Sequence, residues 1–175
     1  AVSSWAKKTD GNFDGTGKSL PGELLPAKIV SDGITFKLGP TADGQKNAVI
    51  CSGQTIKLPQ GAHGRIYLLA AAVGGDTPAT FRVGSHPESI TIQRWDGFIG
   101  QWDYRLWAGE VPELTYDWHN ALAGLVPGYI KRAPVAWYAD HRRLADGTND
   151  IYQFCYLFRY ALPIPTGAQS LTLPN

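Results

Sequence analysis

Short runs rich in β-branched and aromatic residues recur along this chain, most of them closed by Gly, Pro or an Asp-Gly pair. They predict strands over residues 34–38, 48–51, 55–58, 65–73, 79–83 and 89–95, and again over 134–138, 151–162 and 170–173. The dipeptides Asp32-Gly33, Asp43-Gly44 and Asp146-Gly147 are the turns that supply the positive φ of a tight reversal. In the clearest run, 151–162, Tyr152, Phe154, Tyr156, Phe158 and Tyr160 share one face, while Ile151, Gln153, Cys155, Leu157 and Arg159 share the other. Both faces are largely apolar, as in a central strand with one face in a core and the other either covered or exposed as a platform. The simplest reading places the five aromatics in the core.

One stretch breaks the rhythm. Residues 100–133 carry Trp102, Tyr104, Trp107, Tyr116, Trp118 and Tyr129 but no strand repeat, with a short helix predicted around 118–125. Long connections in compact domains are usually functional or disordered, and six large aromatics argue against disorder. The expected architecture is all-β: a jelly-roll-like antiparallel β-sandwich, a single domain spanning 1–175, with one long aromatic-rich connection.

Composition narrows the function. A chain of 175 residues buries roughly 70% of its unfolded surface as one domain. Its 20 Gly and 12 Pro suit many turns. Sixteen basic residues against fifteen acidic ones give a net charge of +1, and the only adjacent basic pairs are Lys7-Lys8, Lys131-Arg132 and Arg142-Arg143. No nucleic-acid footprint is visible. No apolar stretch reaches the ~18 residues of a membrane span. The start at Ala1, without a signal-peptide pattern, reads as a mature or excised fragment. Cys51 and Cys155 both fall in predicted strands. They either face each other or stay as buried free thiols, and free thiols are the expectation.

Candidate chemistry is thin. Asp10, Asn12 and Asp14, with Gly11 and Gly15 between and after them, match the first half of an oxygen-rich calcium loop, yet its twelfth position is Pro21 instead of Glu. A structural Ca²⁺ site and a plain Asx-turn are the two readings. Asp117-Trp118-His119 and Asp140-His141 set a carboxylate beside an imidazole without metal-ligand spacing. No Gly-x-Ser-x-Gly is present, and Asp76, Asp96, Asp103, Glu110, Glu113 and Asp117 are carboxylates whose separations sequence does not give. The informative signal is aromatic. Gln93-Arg94-Trp95-Asp96-Gly97 and Gln101-Trp102-Asp103-Tyr104-Arg105 combine rings that stack on the apolar faces of sugars with side chains that bond hydroxyls. The competing reading makes these Trp residues part of the core.

The chain also resembles an accessory β-sandwich domain of bacterial α-mannosidases of glycoside hydrolase family 38. The likeness runs through residues 13–26, which include Gly17-Lys18-Ser19-Leu20-Pro21-Gly22-Glu23-Leu24-Leu25-Pro26, then through 47–56 with Leu58-Pro59, and through 67–72. It continues in Ile92-Gln93-Arg94-Trp95, Ile99-Gly100-Gln101-Trp102-Asp103 and residues 165–174. This resemblance implies a sandwich domain, export to the periplasm or outside, and a parent enzyme acting on α-mannosides. It implies no catalytic residue here, because the zinc site and nucleophile of that family lie on a separate domain.

Three functions are therefore expected, in order. The first is a non-catalytic saccharide-binding module, its sugar mannose-containing by the resemblance. It stacks on Trp95, Trp102 and Trp107 beside Asp96, Asp103, Tyr104 and Arg105, with Asp10, Asn12 and Asp14 as calcium support. The second is a structural domain packed on the catalytic domain of the same parent chain, which predicts a broad exposed apolar patch. The third is a small independent glycoside hydrolase using Asp117, His119, Asp140 or His141.

Overall fold

Backbone pairing turns the apolar runs into two packed sheets. The computed structural model describes residues 1–42, 44–107 and 122–175. In chain order the strands are β1 (Val2–Ser3), β2 (Leu20–Pro21), β3 (Lys28–Ser31), β4 (Ile34–Lys37), β5 (Thr55–Lys57), β6 (Arg65–Ala70), β7 (Thr77–Val83), β8 (His86–Ile92) and β9 (Gly100–Gln101). They continue as β10 (Tyr104–Trp107), β11 (Leu122–Val126), β12 (Tyr129–Ile130), β13 (Val135–Ala139), β14 (Arg142–Arg143), β15 (Asn149–Asp150), β16 (Cys155–Pro163) and β17 (Ser170–Thr172). One turn of 3-10 helix lies at Gly22–Leu24.

The chain divides into two compact units, Ala1–Gly97 with Ala133–Asn175, and Phe98–Arg132. The first is an antiparallel β-sandwich. A four-stranded sheet in the order β5-β17-β7-β8 faces a three-stranded sheet in the order β13-β16-β6. Their inner faces make the main core of Phe81, Val83, Ile92, Tyr156, Phe158, Tyr160, Leu162, Leu171 and Leu173. β16 organises both layers. Tyr156, Phe158, Tyr160 and Leu162 point into that core, whereas Cys155 and Leu157 on the opposite face join a second core with Val2, Leu20, Ile29, Trp95 and Ala139. The Cys155 and Leu157 end of the second face is thus covered by the N-terminal segment and Trp95. Full burial of Phe158 contributes about 1.5–3 kcal/mol from apolar area alone.

Local chemistry closes the turns. β3 and β4 are joined by Asp32 at φ 51° and Gly33 at φ 75°, the left-handed pair of a two-residue hairpin. Asp146 Oδ1 accepts from the Thr148 N–H at 2.9 Å, fixing the turn between β14 and β15. Asp43 lies outside the described residues.

Several expected strands shift. Residues 48–51 form no strand and leave Val49, Ile50 and Cys51 exposed, because no neighbouring strand pairs with them. Residues 151–154 precede β16 instead of belonging to it, so Ile151 and Tyr152 are exposed and only Tyr156, Phe158 and Tyr160 of the five aromatics are buried. Three short pairs, β1 with β2, β3 with β4 and β14 with β15, add to the sandwich strands.

The second unit is a ladder whose two strands are each interrupted once. β9 pairs with β12, and β10 pairs antiparallel with β11 across a register shift at Leu106/Trp107. Residues 122–125, expected as the end of a helix, belong to the extended strand β11 because Val126, Leu125 and Gly124 pair with Tyr104, Arg105 and Leu106. The rest of that predicted helix lies outside the described residues.

Candidate functional site

The chemistry-bearing side chains of the first unit gather where β14, β15 and the start of β16 meet the N-terminal segment. Asp96 is sealed from solvent and accepts ionic hydrogen bonds from Arg94 and Arg142. Arg142 also bonds Asp150, at 3.0 Å from Nε and 2.8 Å from Nη2. Arg143, 1% exposed, donates to Glu23 and Asn149. His141 lies between two carboxylates, with Nδ1 2.7 Å from Asp140 Oδ1 and Nε2 3.7 Å from Glu23 Oε1. Burial opposes ionisation of Glu23, yet its own backbone N–H and the hydrogen bond and charge of Arg143, helped by His141, outweigh this and hold the carboxyl below its ordinary range.

This arrangement fastens chain segments together. The Arg143 backbone bonds Ser19 reciprocally, at 3.0 and 2.9 Å, while its guanidinium reaches Glu23 in the 3-10 turn. His141 Nε2 is shielded from solvent and makes no hydrogen bond. Cys155 is equally withheld. Its thiol donates to the His141 carbonyl at 3.2 Å, and burial pushes it up to about 12, far from the thiolate a nucleophile requires. Asp76 is occupied too, accepting from the Arg94 N–H at 2.7 Å and from Gln93 Nε2 at 3.1 Å. Asp117, His119, Glu110 and Glu113 lie outside the described residues.

The aromatic candidates separate. Trp95 is 1% exposed, its ring 4.8 Å from that of Phe13, and its backbone bonds Ala72 and Tyr156. It belongs to the second core, and Asp96 is 2% exposed beneath Arg94 and Arg142, so neither presents a surface to a sugar. That is a correction: polar Gln93, Arg94 and Asp96 around the ring suggested exposure, but each is tied down within the fold. Trp102, in contrast, is 92% exposed at the break between β9 and β10. Asp103 Oδ1 accepts from the Gly128 N–H at 2.6 Å, bracing this break against the matching one on the other strand. Tyr104 and Arg105 are exposed on β10. The Trp107 side chain lies outside the described residues.

Around these residues the second unit carries an apolar surface that sequence reading did not assemble. Phe98, Ile99, Leu106, Leu125, Val126, Tyr129 and Ile130 are all exposed.

The calcium candidates are turned onto their own loop. Asn12 Oδ1 accepts from the N–H groups of Gly15 and Gly17, and Asp14 Oδ1 from those of Thr16 and Lys18, while Asp10 Oδ1 caps Ser4 N–H at 2.9 Å. Burial weighs against the charge of Asp14, but the Thr16 and Lys18 hydrogen bonds and the Lys18 charge hold its carboxyl below the ordinary range. These backbone amides engage the Asn12 and Asp14 oxygens as an Asx-turn does. Among the described residues, no three His, Cys, Asp or Glu side chains gather as a metal site, and no helix is long and apolar enough to cross a membrane.

The fold and this geometry define an all-β domain. A family model for the AziU2-like beta-sandwich domain matches residues 1–175, and the chain belongs to that family. No curated protein matches it.

Proposed function

We propose that this domain is a non-catalytic accessory module of an exported glycosidase, an α-mannosidase by its sequence resemblance, and that it docks on the catalytic part through the second unit. The observation that carries this reading is the concentration of exposed apolar side chains on Phe98–Arg132. A two-stranded ladder is marginally stable in water. Solvent-facing Phe98, Ile99, Tyr129 and Ile130 match a surface that a partner covers. The ion pairs that tie Arg142 and Arg143 to Asp96, Asp150 and Glu23 across distant segments support a scaffold in preference to an independent hydrolase.

Saccharide binding is the second reading, and the exposure of Trp102 beside Tyr104 and Arg105 favours it. NMR titration with manno-oligosaccharides distinguishes the two. Docking predicts no saturable shift at Trp102, Tyr104 or Tyr129. Saturable shifts lost in Trp102→Ala would transfer the assignment to a sugar-binding module.

A further inference from the structure

In the first unit the segment after β5 and the segment before β6 meet the connection from β16 to β17. A pocket of about 210 Å³ lies there, lined by Leu58, Pro59, His63, Arg65, Ile66 and Ile164 together with Gly61 and Ala168. Leu58, Ile66, Ile164 and Ala168 pack against the main core from below, so the floor is apolar and continuous with the sandwich interior.

The floor is held in place by the backbone. Leu58 N–H donates to the Gln169 carbonyl at 2.9 Å, and Ile164 N–H donates to the Gly64 carbonyl at 3.0 Å. Gly61 adopts φ 131°, a backbone conformation that favours glycine.

The rim is cationic and carries no carboxylate. Arg65 is exposed, and among the described residues it has no ion pair, unlike Arg142, Arg143 and Arg159, each of which faces an acidic side chain. A planar guanidinium beside an apolar floor is matched by a carboxylate joined to a compact hydrocarbon body, since the fork takes both oxygens while the body enters the pocket. The volume sets the size. An apolar cavity of about 150 Å³ holds benzene, so this pocket admits one ring and falls below the roughly 300 Å³ where drug-sized sites begin.

We propose that this pocket binds a small organic carboxylate with a single-ring or branched-alkyl body, the carboxylate on Arg65 with His63 alongside and the body on Leu58, Ile66 and Ile164. The site is independent of the docking surface on the second unit.

The test is a methyl and amide NMR titration of the whole chain with sodium benzoate. Benzyl alcohol serves as the neutral isostere, and sodium chloride matches the ionic strength. The expected result is saturable shifts at Leu58, Ile66, Ile164 and Ala168 with a dissociation constant on the order of millimolar. Benzyl alcohol binds at least about tenfold more weakly, and Arg65→Gln weakens benzoate by about the same factor. Comparison of benzoate with benzyl alcohol on the unmodified protein keeps the test decisive even where Arg65→Gln folds poorly. Equal binding of the alcohol and the acid, or shifts that rise linearly with concentration as they do with chloride, would overturn the proposal.

Discussion

Replacing Trp95 with alanine separates a core residue from a binding residue. The side chain is 1% exposed, lies 4.8 Å from the Phe13 ring, and sits in the second core with Leu20, Cys155 and Leu157. A buried Trp removes about 200 Å² from water, worth about 5 kcal/mol at 25 cal/mol per Å². A compact denatured state lowers this by roughly 10–40%. The lost ring pair with Phe13 adds about 0.5–1.5 kcal/mol. The expected loss is therefore about 3.5–6 kcal/mol, overlapping the roughly 3–5 kcal/mol of large-to-small aromatic deletions in cores. Urea denaturation followed by circular dichroism measures it, with the midpoint falling and the slope unchanged. Trp102→Ala, on the exposed ring, shifts stability by less than about 0.5 kcal/mol. A loss below about 1 kcal/mol for Trp95→Ala, or a larger loss for Trp102→Ala, would refute the assignment of the two residues.

Three further outcomes follow from the same packing. Because Glu23 is held below its usual value of 4.5, the folded protein binds fewer protons than the unfolded chain in acid. The stability this contact supplies is complete above pH 4.5 and is lost as pH falls through the lowered folded value. Melting temperatures from pH 7 to pH 3 should fall less steeply in Glu23→Gln than in the unmodified protein, though from a lower plateau. In native buffer a thiol reagent should label exposed Cys51 and leave Cys155 untouched until denaturant is added, as intact-mass spectrometry reads directly; Cys155 labelling on the same timescale would contradict its burial. Calcium and chelator should leave the melting temperature unchanged, because Asn12 and Asp14 are held by backbone amides; a rise with calcium would restore a metal role for that loop.

How far the fold was legible depended on how local its causes are. β16 was readable because its alternation is internal to one strand, and the Asp32-Gly33 reversal because the dipeptide makes its own turn. β1 and β2 are two residues each, too short for any period to register. The apolar run 48–51 has strand composition but lacks a pairing partner, which composition does not reveal. The candidate site was less legible for a similar reason. Trp95 packs its ring on Phe13 and its carbonyl accepts from the Tyr156 N–H, and Arg143 finds Glu23 across 120 positions. Neither contact leaves a mark near the residue in sequence. Trp102 was identified by its ring and its neighbours, yet the apolar surface around it required the β9–β12 and β10–β11 pairing to bring Phe98 and Ile99 into one unit with Tyr129 and Ile130.

The most direct measurement is hydroxyl-radical footprinting of Phe98, Trp102, Tyr104 and Tyr129 in the isolated chain and in the proposed parent glycosidase. Docking predicts strong labelling of all four in the isolated chain and protection of most of them in the parent enzyme. Equal labelling in both would contradict the docking role of the second unit.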